Sequence, residues 1–166
     1  MKTHNASKQI LDRIDLRILN ELQSNGRISN VELAKKVGLS ATPCLERVKR
    51  LEANGFIEGY SARLNPMKLA ASLLVFVEIR LSRTSPDVFE EFKQAVLGLP
   101  MILECHLVSG DFDYLLKARV ADMQAYRKLL GETLLTLPGV SASRSYMVME
   151  EVKETNMLPI NDKKAS

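Results

Sequence analysis

Two stretches of this chain carry side chains whose types and spacing could do chemistry. In the first, Lys35, Lys36, Arg47, Lys49 and Arg50 crowd around a single acid, Glu46. Arginine forks can read guanine edges in a DNA major groove, whereas lysines suit phosphate oxygens. Ser40, Thr42, Pro43, Glu46, Arg47, Lys49 and Arg50 are read as the start and outward face of a DNA-contacting helix. Lys35, Lys36 and Lys49 serve as phosphate contacts. The plainer alternative is a three-helix packing unit with a solvated basic face. The second stretch is Ser109-Gly110-Asp111-Phe112-Asp113-Tyr114. A tight glycine turn can present backbone N–H groups to a carboxylate, and an aspartate can hold an ammonium. Those are the two charged ends of a free amino acid. On the residues alone, Asp and Gly there make a hairpin turn.

Other constellations fall away on geometry. Cys105 and His106 are neighbours in a predicted strand, so they face opposite ways and cannot work as nucleophile and base. Cys44 reads as a small packing residue. Two cysteines without a CxxC and two histidines, His4 and His106, give no zinc or disulfide framework. There is no glycine-rich phosphate loop and no carboxylate pair beside a nucleophile. The expectation is a protein that is not an enzyme and needs no metal or cofactor.

The elements that must position these groups are punctuated clearly. Asp12 caps a first helix with Ile14, Ile18, Leu19 and Leu22 at helical spacing, stopped by Gly26. Ser29-Asn30-Val31-Glu32 is a capping box for a second helix carrying Leu33, Ala34 and Val37, and Gly38 permits the left-handed turn after it. Ser40 or Thr42 caps a third helix, with Pro43 in its first turn and Leu45, Val48 and Leu51 as its core stripe. Phe56 to Leu64 alternates loosely and predicts a strand or short hairpin. A helix-turn-helix needs a small residue at the crossing, a glycine in the turn and a projecting second helix, and Ala34, Gly38 and the third helix, in a unit running from Asn30 to about Asn54, supply them.

Beyond Asn65-Pro66 the period changes. Leu73–Leu81, Ile102–Ser109, Tyr114–Val120 and Val140–Val152 predict strands. Helices open at Ser85-Pro86-Asp87 and at Asp122. The second turns Met123, Tyr126, Leu129, Leu130, Leu134 and Leu137 inward and stops at Pro138-Gly139. The order is β-α-β-β-α-β, a ferredoxin-like split βαβ arrangement with both helices on one sheet face. The other face, with Leu74 and Phe76, calls for a second copy of the chain. An RNA-binding domain of the same order would want several aromatics on its central strands, and the strand from Tyr114 has one.

Composition agrees with this division. The 166 residues are 46% apolar and 26% charged, as in ordinary globular proteins. Residues 1–65 hold eleven Lys/Arg against seven Asp/Glu, a net +4, while 66–166 net −1. An anionic partner for the first part alone follows. The longest apolar run, Leu73 to Val77, is far short of the ~18 residues of a membrane span. The opening MKTHNASKQI has no apolar signal core, so a cytoplasmic location is expected.

The run NVELAKKVGLSATPCLERVKRLEANGFIEGY, with HLVSGDFDYLLKARV and YRKLLGETLLTLPGV, resembles the Lrp/AsnC family of bacterial transcription regulators over residues 11–153. The resemblance implies an α+β protein. A winged helix-turn-helix would fill 11–62, a hinge 63–72, and a βαββαβ effector-binding and oligomerisation domain 73–153, between flexible tails at 1–10 and 154–166. It implies double-stranded promoter DNA as partner, in a nucleoid-associated regulator that both activates and represses. Homodimers would assemble to octamers or higher. Leucine or another small amino acid would be the effector, held between dimers by Leu107, Gly110, Asp113, Met123, Tyr146, Met147 and Val148.

Overall fold

The computed structural model of the chain describes residues 11–161, and the predicted tail at 1–10 lies outside them. Two compact units result. Among the described residues, 11–63 together with 154–161 form one, and Leu64 to Lys153 the other.

The first unit is built on three helices, α1 (Arg13–Ser24), α2 (Asn30–Val37) and α3 (Ala41–Ala53). Asp12 accepts from the Asp15 backbone N–H while the Asp15 side chain accepts from the Asp12 N–H, a capping box as at Ser29 and Glu32. Gly38 ends α2 in the left-handed region, at φ 76°, where a Cβ would be strained. Ser40 is the N-cap of α3, without a side-chain capping bond. Ile18, Leu33, Ala34, Val37, Cys44 and Leu51 form the core, with Val48 and Ile57 packed against it. Cys44 therefore takes the inward place, and Leu45, expected there, is exposed. The reason is helical phase: position 44 shares a face with 48 and 51.

No paired strand forms over Phe56–Leu64. Ile57 docks in the core, and the Tyr60 hydroxyl donates to Glu52 Oε1 at 2.9 Å. These fix the segment by side chains, with no neighbouring strand to complete a ladder. The segment 154–161, read from sequence as a free polar tail, lies on α1. Gln23 Nε2 donates to the Leu158 carbonyl and Gln23 Oε1 accepts from the Leu158 N–H, both at 2.9 Å. Asn20 Nδ2 donates to the Ile160 carbonyl at 3.2 Å.

The second unit carries β1 (Leu73–Leu81), α4 (Pro86–Leu97), β2 (Ile102–Leu107), β3 (Tyr114–Val120), α5 (Met123–Glu132) and β4 (Val140–Met147). The antiparallel sheet has the order β2-β3-β1-β4. Val75, Val77, Ile79 and Leu81 face Phe92, Tyr126 and Leu129 in one core, where Phe92 stacks on Tyr114 at 4.4 Å. The order and the one-sided helices are those expected. The last strand is shorter than predicted: its regular pairing with β1 ends at Met147 opposite Val75. The fifth helix ends at Glu132, followed by a 3₁₀ turn at Leu134–Thr136. On the outer face Phe76 is half-buried. Glu78 accepts from the Tyr146 hydroxyl at 2.9 Å, and Lys117 Nζ donates to Glu104 at 3.0 Å, so this face is more polar than its sequence suggested.

Candidate DNA and effector surfaces

The basic helix sorts its side chains by phase. Thr42, Glu46 and Lys49 repeat at four and three residues and are exposed, with Ser40 and Pro43 exposed at the N-terminal end. Lys35 and Lys36 are exposed on α2, where Lys36 Nζ pairs with Glu21 at 2.6 Å.

Arg47 and Arg50 are placed differently. Arg47 NH1 donates to Asp12 Oδ2 at 2.6 Å and to Asp15 Oδ1 at 2.8 Å. Arg50 NH2 donates to both Asp15 oxygens at 2.7 Å. The Asp15 side chain is 3% exposed. The outward, base-reading position assigned to Arg47 is thereby corrected, because its guanidinium points back at α1. Hydrogen bonds that Arg47 donates to the Asp12 and Asp15 carboxylates also raise its pKa. Asp12 feels burial pushing its carboxyl up, and the Asp15 backbone N–H with Arg47 outweigh that and hold it below the usual carboxylate range. Sequence reading found Asp12 as a cap but missed Asp15. The signal was there: Asp15 falls in phase with Ile18, Leu19 and Leu22 on the apolar stripe.

The effector residues divide into two groups. Leu107 pairs with Tyr114, which pairs with Ile79, so Leu107, Gly110 and Asp113 sit at the Ile79 end of the sheet. Met147 pairs with Val75, and the Val148 N–H donates to the Leu74 carbonyl at 3.0 Å. Met123 follows β3, whose Val120 pairs with Leu73. Those three therefore lie at the other end, with Tyr146 beside them on β4. Val75 and Ile79 are four positions apart on β1, roughly 13 Å, and Leu107 and Met147 belong to opposite edge strands. Leu107, Met123, Tyr146 and Met147 are exposed. Met123 is thus corrected from an inward position to a surface one. Asp113 Oδ2 accepts from the Leu81 N–H at 2.7 Å, and its own N–H donates to the Ile79 carbonyl at 2.9 Å. The carboxylate thus fastens the turn to β1. A cavity of about 380 Å³ beside α5 is lined by Met101, Arg119, Val120, Lys128 and Leu129, among others, and by none of the predicted effector residues. Among the described residues no group of side chains could hold a metal ion, and no helix is long and apolar enough to cross a membrane.

A capped basic two-helix unit and a separate βαββαβ unit on one chain fit a DNA-binding regulator with a second, sensing domain, and the comparisons with known proteins establish that class. Residues 11–58 match the family model for a winged helix-turn-helix DNA-binding domain, and 74–158 match the Lrp/AsnC ligand binding domain. Over 150 residues the chain is 73% identical to the leucine-responsive regulatory proteins of Escherichia coli K12 and Klebsiella pneumoniae, covering 90% of this chain and 92% of each relative. A Neisseria meningitidis transcriptional regulator solved in complex with L-methionine superposes with a TM-score of 0.87 at 40% identity, covering 91% of this chain and 97% of that one. An AsnC family regulator from Agrobacterium tumefaciens gives a TM-score of 0.86 at 36% identity, covering 90% and 97%. The chain belongs to the Lrp/AsnC family of transcription regulators and is not an enzyme.

Proposed function

We propose that this regulator responds to leucine, or to an aliphatic amino acid close to it, bound between copies of the chain. The observation that carries the reading is the split of the effector residues between two ends of one sheet. Leu107, Gly110 and Asp113 can meet Met123, Met147 and Val148 only where a second copy supplies the other half. The exposed apolar side chains of Leu107, Met123 and Met147 suit an aliphatic side chain, which burial in such a seam would remove from water. The 73% identity to leucine-responsive relatives supports leucine as the choice. Methionine is the second reading, favoured by the Neisseria regulator solved with it.

On the DNA side, Thr42, Pro43 and Glu46 face the base edges, while Lys35, Lys36, Ser40 and Lys49 hold the phosphates. Two-fold dimers would set two such surfaces about 34 Å apart, on pseudo-palindromic sites. Octamers or larger assemblies would wrap promoter DNA, as befits a nucleoid-associated regulator that both activates and represses. Leucine shifts that assembly only by preferring one state of it. Sedimentation of the whole protein with leucine, with methionine and with neither tests the proposal. A mass distribution that moves with leucine at lower concentration than with methionine is expected. An unchanged distribution, together with no heat of binding for either amino acid in calorimetry, would end it.

A further inference from the structure

Two arginines one turn apart on the DNA-contacting helix pair with one buried carboxylate, while their own side chains stay 26% (Arg47) and 46% (Arg50) exposed. Arg47 and Arg50 are stacked on one face of α3, and both reach the same carboxylate of α1. That carboxylate is buried, and its remaining capacity is used as well: Asp15 Oδ2 accepts from the Asp12 N–H at 3.2 Å. Asp12 closes the circuit, accepting from the Asp15 N–H at 2.8 Å and from Arg47. The network thus runs from the half-exposed N-terminal cap of α1 to the middle of α3. It ties α3 to the start of α1 alongside the core contacts of Cys44, Val48 and Leu51.

We infer that Asp15 is a positioning and specificity-determining residue for DNA recognition: it withholds the Arg47 and Arg50 guanidinium groups from phosphates and turns the Thr42, Glu46 and Lys49 face toward the groove. The physical consequence lies in how binding depends on salt. Each cation that meets a phosphate releases counterions, and log K falls with log salt by about 0.9 per contact. Two arginines held by Asp15 contribute nothing to that slope. Sequence-blind affinity is therefore kept low, while the outward face reads the bases. A carboxylate buried in the helix core so acts on DNA without touching it.

The inference rests on the DNA-binding reading of this unit, and one experiment separates the two. Binding of the full-length protein to a promoter fragment and to a scrambled duplex of equal length is measured from about 50 to 200 mM salt. Wild-type protein that binds neither duplex would overturn the DNA-binding reading itself. With wild-type binding in hand, Asp15→Asn is expected to steepen the slope by one to about two contacts. It should tighten binding to the scrambled duplex several-fold and cut the promoter-to-scramble ratio about tenfold. An unchanged slope and ratio in a folded Asp15→Asn protein would overturn the inference. Should that variant fail to fold, Arg50→Met decides alone, since Arg47 still pairs the Asp15 carboxylate. Its salt slope is expected to equal that of wild type, and a slope shallower by about one contact would place Arg50 on a phosphate and overturn the inference.

Discussion

Asp12 and Asp113 are carboxylates that each do backbone work, with different consequences for pH and for ligand. The Asp12 carboxyl ionises below the usual carboxylate range in the folded chain. Its contribution to stability is therefore complete above the unfolded pKa of about 3.9 and is lost as pH falls through the lower folded value. Thermal melts of the full protein between about pH 5 and pH 2 should show a steeper loss for wild type than for Asp12→Asn, which has no charge to neutralise. Asp113 offers a different separation. Asn keeps an acceptor for the Leu81 N–H but removes the charge an ammonium would need. Asp113→Asn is expected to melt within a few degrees of wild type while binding leucine about tenfold more weakly, the scale of one charge-assisted contact. Equal leucine affinity in calorimetry would leave Asp113 purely as the fastening of its turn. Both roles show where sequence is legible at this scale. The capping box at Asp12 and Asp15 obeys a three-residue rule and can be read directly. The pairing of Asp15 with Arg47 spans 32 positions and depends on how two helices cross, which no local pattern encodes.

Elements were legible wherever a side-chain period met a local stop. The helices and the four strands are of this kind, because each has an apolar face and a cap or turn at its ends. The segment Phe56–Leu64 has the alternation of a strand but no partner strand, so its backbone stays unpaired and Ile57 and Tyr60 hold it instead. The helix from Met123 shows the opposite failure. Its apolar spacing runs on to Leu137, yet the helix stops at Glu132, and Leu134 is buried from a 3₁₀ turn instead. The junction that follows is demanding. Gly139 lies at φ 75°, and a Cβ there would stand 2.4 Å from Val88 Cγ1. Gly139→Ala combines left-handed backbone strain with overpacking against α4, and should cost about 2–4 kcal/mol. Chemical denaturation of the effector unit would measure this, and a loss below about 1 kcal/mol would mean that the Val88 side chain moves aside at little cost.

For the whole molecule, the division of labour was visible in charge, since the basic excess stops where the β-rich unit begins. The return of the chain was not. It leaves the first unit after Arg63 and re-enters it at Glu154, where Arg63 donates to the Glu154 carbonyl at 3.2 Å. The partners Gln23 and Leu158 are 135 positions apart, and polar residues at a chain end look alike whether docked or free. Gln23→Ala should speed amide exchange at Leu158 by several-fold and leave the core amides of β1 unchanged. Equal exchange at Leu158 in both proteins would show that Gln23 does not hold it. Three hydrogen bonds, two of them exposed and one part-buried, each of roughly 1 kcal/mol or less, are too few to hold a separate peptide of this sequence on α1 at micromolar concentration. Covalent attachment replaces that concentration with an effective one in the millimolar range, set by the chain itself. Contacts between copies of the protein weaken as it is diluted. Protection of the Leu158 amide will not, so the fraction of time α1 is covered is the same in a cell holding a few molecules as in one holding thousands.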